Sequence, residues 1–118
     1  MQDFKRLEVW QLAHQLTLSI YAATTKFPPD ERFGLTSHLR RAASSVGANL
    51  AEGCGRGTDI DFARFVPMAT GSATEVECHL LSAKDLGYLE INVMRQIDDS
   101  LQRVRSMMIA LLKRLRSN

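Results

Sequence analysis

The sequence predicts an all-α protein, an antiparallel up-down-up-down four-helix bundle. Four stretches repeat apolar residues at spacings of three and four, and none alternates as a strand would. The breaks between them are short and hold proline, glycine or a capping motif. With 118 residues, 45% hydrophobic and 24% charged, the chain has enough apolar material for one core, so a single domain over residues 1–118 is expected.

The first helix is expected from about Phe4 to Phe27. Val9, Leu12, Ala13, Leu16, Ile20, Ala23 and Phe27 form its apolar stripe. Pro28 and Pro29 end it, since neither has a backbone N–H to donate, and Asp30 and Glu31 suit the start of another turn. The second is expected from about Thr36 to Cys54, with Leu35, Leu39, Ala42, Ala43, Val46, Leu50 and Cys54 on its stripe. Its many small residues let a neighbouring helix come close.

The third helix is expected from about Asp59 to Leu86. "TDID", from Thr58 to Asp61, matches a capping box. The stripe is Phe62, Phe65, Val66, Ala69, Ala73, Val76, Leu80 and Ala83. Pro67 lies inside and should kink the helix, because the Ala63 carbonyl loses its donor. Gly87 stops it. The fourth, from about Ile91 to Arg116, has a coiled-coil-like seam of Met94, Ile97, Leu101, Val104, Met108, Leu111 and Leu115. The short connections make neighbouring helices antiparallel.

Net charge is only +2, but its distribution is uneven. Eight acids and three bases lie between Thr58 and Ser100, and five bases and no acid follow from Leu101. An acidic stripe and a basic end suit self-association or a polyanion partner. Cys54 and Cys78 form no CxxC, no signal-peptide pattern precedes Leu7, and no apolar run is long enough for a membrane span. These features read as a cytoplasmic, reducing setting with thiols rather than a disulfide and no membrane partner.

"EGCGRG", from Glu52 to Gly57, invites a nucleotide reading that its spacing refuses. A P-loop needs GxxxxGK and a dinucleotide loop needs GxGxxG after a strand. A helix stop fits better, with Gly53 or Gly55 as the left-handed residue and Gly57 freeing the turn before Thr58. No GxSxG or HExxH occurs, so neither a catalytic residue nor a cofactor is assigned. Glu75 and His79, four apart, read as a helix-surface pair. A di-iron bundle needs Glu-x-x-His, but Val76, Leu35 and Gln11 stand three before His79, His38 and His14, so no metal site is assigned.

Two helices carry a second face. On the first, Leu7, Trp10, His14 and Tyr21 lie opposite Leu16 and Ile20 and read as an oligomer interface. The alternative is that Trp10 and Tyr21 cap the ends of the core. On the second, Ser45, Asn49, Glu52 and Arg56 share a side, with Glu52 and Arg56 in the favoured ion-pair order. That set reads equally as a solvated face or as a hydrogen-bond cluster that fixes helix register. Adjacent Arg40 and Arg41 point about 100° apart, so one can face a partner while the other faces solvent. With Arg103, Arg105, Lys113, Arg114 and Arg116 they could form a phosphate-contacting surface, although taken alone the set reads as solubility charge, since the pI of about 8.7 stays below that of typical nucleic-acid domains.

"LEVWQLAHQL", "GLTSHLRRAASSVGANLAEGCGR" and "FARFVPMATGSATEVECHLLSAKDLGYL" together resemble the four-helix bundle family of 23S rRNA intervening-sequence proteins. The resemblance runs from about Phe4 to Leu89 and tapers off in the last helix. That family is related to the accessory variability determinants of diversity-generating retroelements. The resemblance implies a bundle that assembles into a ring-like homopentamer, associates with structured RNA, DNA or a nucleic-acid-handling partner, and has no established catalysis. The family's motif falls on Leu39, Arg40, Arg41, Ala42, Ala43, Asn49, Ala51, Glu52, Gly53, Arg56, Phe62, Phe65, Ala69, Gly71, Ser72 and Glu75. It adds Ser72 and Glu75 to the polar cluster of Asn49, Glu52 and Arg56, and it favours Arg40, Arg41, Arg56 and the basic last helix as phosphate contacts. Gly47 stands where a proline is common, and Pro67 where an aliphatic residue is usual.

Overall fold

The structure is a computed structural model that describes residues 3–117. Met1, Gln2 and Asn118, at the edges of the expected domain, lie outside the described residues.

The first expected helix is divided. Asp3 accepts the backbone N–H of Lys5 at 3.0 Å and caps a short 3-10 turn, Phe4–Arg6. Leu7 is extended at φ −73° and ψ 122°, and helix α1 then spans Glu8–Thr24. Its end comes before the prolines. Thr24 and Thr25 donate their hydroxyls to the carbonyls of Ile20 and Ala22 at 2.8 and 2.7 Å, which competes with continuing the helix. A second 3-10 turn, Pro29–Glu31, leads on to helix α2, Leu35–Gly55. Glu31 supports the start of α2, with its Oε1 accepting the Leu35 N–H at 3.3 Å.

The end of α2 corrects the expected helix stop. Gly53 and Gly55 are both helical, and the left-handed residue is Gly57, at φ +88°. Gly53 is a glycine for a different reason. A Cβ there would lie 2.7 Å from Phe65 Cβ and 2.9 Å from Phe62 Cδ1, so its bare backbone lets two helices touch.

Helix α3, Asp59–Asp85, begins as expected at Thr58, whose hydroxyl oxygen accepts the Asp61 N–H at 3.2 Å. The reciprocal bond differs from a capping box: the Thr58 hydroxyl donates to the Asp61 carboxylate at 3.1 Å. α3 runs unbroken through Pro67, which is exposed on its outer face. At its end Gly87 takes φ +79°, and the N–H groups of Gly87 and Tyr88 bond back to Lys84 and Ala83. Helix α4, Ile91–Arg116, matches its expected bounds.

The helices form a four-cornered bundle 46 Å long. α1 packs on α2, α2 on α3, α3 on α4, and α4 returns to α1, while the diagonal pairs stay apart among the described residues. The α1–α2 contacts run antiparallel, pairing Trp10 with Gly47, Thr17 with Ala43 and Thr24 with Arg40. Leu16, Ile20, Leu39, Leu50, Leu80, Leu101 and Met108 fill the middle with almost no exposure. Buried Ala42, Ala43, Ala69 and Ala73 keep α2 and α3 close along their length. All four helices therefore spend their inward stripes on one core, and any partner must use the outer flanks.

Candidate nucleic-acid and self-association surfaces

The cations expected to meet phosphate divide into two groups. Arg40 leans toward α1, where its Nε donates to Thr24 Oγ1 at 2.8 Å and its Nη2 to the Tyr21 carbonyl at 3.4 Å. Its guanidinium also lies 4.7 Å from the Tyr21 ring centroid, within cation–π range. Arg56 pairs with Glu52 at 3.1 Å and sits 5.1 Å from the Phe65 ring centroid. Arg105 turns into the α3–α4 seam, 3.5 Å from Glu77 Oε1, and its Nε and Nη2 are buried without a hydrogen-bond partner. Gln102 also reaches Glu77, at 3.1 Å, so a single carboxylate gathers two donors from α4.

The other five point outward. Arg41, Arg103, Lys113, Arg114 and Arg116 are exposed, and their side chains make no ion pair or hydrogen bond among the described residues. Lys113, Arg114 and Arg116 occupy the last turn of α4, where the helix dipole also favours cations. In the antiparallel bundle this end also holds Arg56, Arg64 and the exposed Lys5 and Arg6 before α1. The grouping of Lys5 and Arg6 with these residues comes from topology, not from sequence spacing.

The expected polar cluster does not form one network. Asn49 donates to the Ser45 carbonyl at 2.9 Å, Glu52 holds Arg56, and Glu75 lies 3.5 Å from His79 Nε2. Each bond stays within one helix, and Ser72 makes no side-chain hydrogen bond among the described residues. Arg41 instead borders a cavity of about 260 Å³ with His38, Ala42, Ser45 and Glu75. His38 and His79 face each other across the α2–α3 seam with ring centroids 5.5 Å apart. Among the described residues no group of three or more His, Cys, Asp or Glu could hold a metal ion.

The expected interface face is also partly consumed. Leu7 is only 8% exposed and belongs to the chain's own core, because the break before α1 turns it inward. Trp10 is half-buried, with its indole nitrogen 3.4 Å from where a Gly47 Cβ would stand. Phe4 meets Trp10 edge-on and His14 stacks on it, both at 4.9 Å between centroids. His14 and Tyr21 remain exposed, and Leu18, 56% exposed, extends that flank. Sequence reasoning passed over Leu18 because α1 already had a complete inward stripe.

Two further features were not legible. Glu31 Oε2 accepts the Tyr88 hydroxyl at 2.9 Å, tying the α1–α2 connection to the α3–α4 turn. That bond, and to a lesser degree burial, pushes the Tyr88 phenol above its ordinary value. An open groove of about 630 Å³ lies between the end of α1 and the start of α4.

The profile of the 23S rRNA-intervening sequence proteins matches residues 5–110, nearly the whole bundle. The chain belongs to that family. No curated protein matches it. Among solved structures, one of a protein of unknown function from the S23 ribosomal protein family of Bacteroides thetaiotaomicron is similar. The two share 19% identity and a TM-score of 0.79, over 89% of this chain and 98% of that one. At that identity the likeness speaks for the fold. Among the described residues the chain has no helix long and apolar enough to cross a membrane.

Proposed function

We propose that this protein is a non-enzymatic cytoplasmic homo-oligomer, a pentamer as the resemblance implies, that binds structured nucleic acid or a nucleic-acid-handling protein through basic surfaces. The observation that carries this reading is the set of exposed cations on α4, Arg103, Lys113, Arg114 and Arg116, none of which is neutralised within the described chain. With Arg41 they are the phosphate contacts of choice, whereas Arg40, Arg56 and Arg105 already hold internal partners. Assembly would repeat the basic helix end around a ring and multiply a weak single-chain charge. His14 and Tyr21, with the outer edge of Trp10, support self-association.

Filter binding of structured RNA across a salt series tests the reading. Affinity should fall with a log–log slope near −0.9 per phosphate neutralised on a duplex. No binding at low salt refutes it. A second reading, a purely structural assembly module, draws on the three arginines committed to internal contacts. A protein partner retained on pull-down after nuclease treatment would favour it.

A further inference from the structure

Phe33 is 85% exposed, more than any other large apolar side chain among the described residues. It does not hang on a loose loop. Glu31, two residues before it, bonds both to the Leu35 N–H and to the Tyr88 hydroxyl, which fixes the turn on either side. The Arg32 guanidinium lies 5.3 Å from the Phe33 ring centroid, within cation–π range. A rigidly presented aromatic of this kind is suited to fill a partner's pocket.

The α1–α4 groove lies at the same end of the bundle. Its floor is apolar, with Ala22, Ala23, Val93 and Ile97, and small α1 side chains leave it open. Its volume of about 630 Å³ suits an apolar insert. The rim carries Lys26, Glu90 and Asp99, and Asp30 and Arg32 precede Phe33 in its turn. None of these five charges forms an ion pair among the described residues.

We propose that Phe33 of one copy seats in the α1–α4 groove of a second copy, with Arg32 opposite Glu90 and Asp99, and Asp30 opposite Lys26. The knob and the hole are different surfaces of one chain, and the charges around each are complementary. Such a contact is heterologous, so it repeats from copy to copy and closes into a ring when the rotation allows. One phenyl ring is too small to be a whole interface. Leu18 and Tyr21, also exposed, offer further apolar area on α1 as it nears that end. The inference rests on the self-association reading above and adds which surfaces meet.

Light scattering of the purified protein over a concentration series, beside Phe33→Ala, gives the first test. Phe33 supports little within its own chain, so the variant should keep its helical circular dichroism. Its association should weaken at least roughly thirtyfold, as when a hot-spot anchor is truncated. The second test uses Arg32→Cys and Glu90→Cys chains, each in a Cys78→Ser background. Mixed and mildly oxidised, they should cross-link to each other, and neither should cross-link alone. A parent monomeric at every concentration overturns both this contact and the self-association reading. An oligomer unaffected by Phe33→Ala, with no mixed cross-link, overturns the contact and leaves self-association standing. Cross-linking of Arg32→Cys to itself overturns the head-to-tail arrangement.

Discussion

Replacing Gly53 with alanine should destabilise the bundle, against the usual preference of helices. In a helix interior, alanine is favoured over glycine by about 1 kcal/mol. At position 53 the new methyl would sit 2.7 Å from Phe65 Cβ, 2.9 Å from Phe62 Cδ1 and 3.3 Å from Phe65 Cγ. The first of these atoms cannot rotate away, because a Cβ is fixed to its backbone. Either α2 and α3 separate or the Phe65 backbone shifts. Overpacking of this kind costs about 1–3 kcal/mol, and contact with an immobile atom places it toward the upper end. The net loss is then about 1–2 kcal/mol, a fall in Tm of roughly 4–8 °C for a chain of this size. Gly47→Ala is the matched control on the same helix. Its methyl would meet Trp10 Nε1 at 3.4 Å, an ordinary contact, so the propensity gain survives and Tm should rise by roughly 4 °C. Thermal unfolding followed by circular dichroism, at one protein concentration because association shifts Tm, compares the three chains. A Gly53→Ala protein as stable as the parent would refute the close-approach argument, and so would equal losses in both variants.

Four further outcomes follow from the structure. Arg40→Ala should lower stability by about 1 kcal/mol through its bonds to Thr24 and Tyr21, while RNA affinity holds. Arg114→Ala should do the reverse, reducing the salt slope at unchanged stability. Thiol titration of the native protein should label exposed Cys78 quickly and buried Cys54 only on unfolding. Stability should decline in alkali: the folded state holds the Tyr88 phenol neutral to a higher pH than the unfolded chain does, so its contribution is complete below about 10 and is lost as pH rises through the folded value. Burial acts in the same direction on Cys54, and Tyr88→Phe should flatten the alkaline limb of denaturant midpoints measured against pH.

Helix number, order and core were legible because each inward stripe obeys one period. Every residue expected on the stripe of α2 is buried, and so is the α4 seam apart from Met94, which is partly covered near the helix start. The breaks were less legible. The chain divides at Leu7 because Asp3 caps a separate turn, and a single aspartate three residues from the start gives no periodic signal. Gly53 drew the wrong explanation because helix-stop glycines and close-packing glycines look alike in one dimension. Only the position of Phe65 on the facing helix separates them.

The basic residues show why a site is harder to read than a fold. Arg40 and Arg41 are neighbours of one chemical type, and the helical angle between them already required different surroundings. What the angle could not supply was the identity of those surroundings. Arg40 finds Thr24, whose hydroxyl is available because it also marks the end of α1, and Tyr21, whose ring lies one turn earlier. Arg41 finds the open α2–α3 flank beside His38 and Glu75. The same contrast separates Arg105, drawn into the α3–α4 seam by Glu77, from Arg103, which forms no ion pair among the described residues. A cation becomes a strut when the adjoining helix offers an acceptor at the right height, and remains available to a partner when it does not. That height is set by how far each helix slides along its neighbour, a quantity that caps, short connections and one missing Cβ at Gly53 decide together.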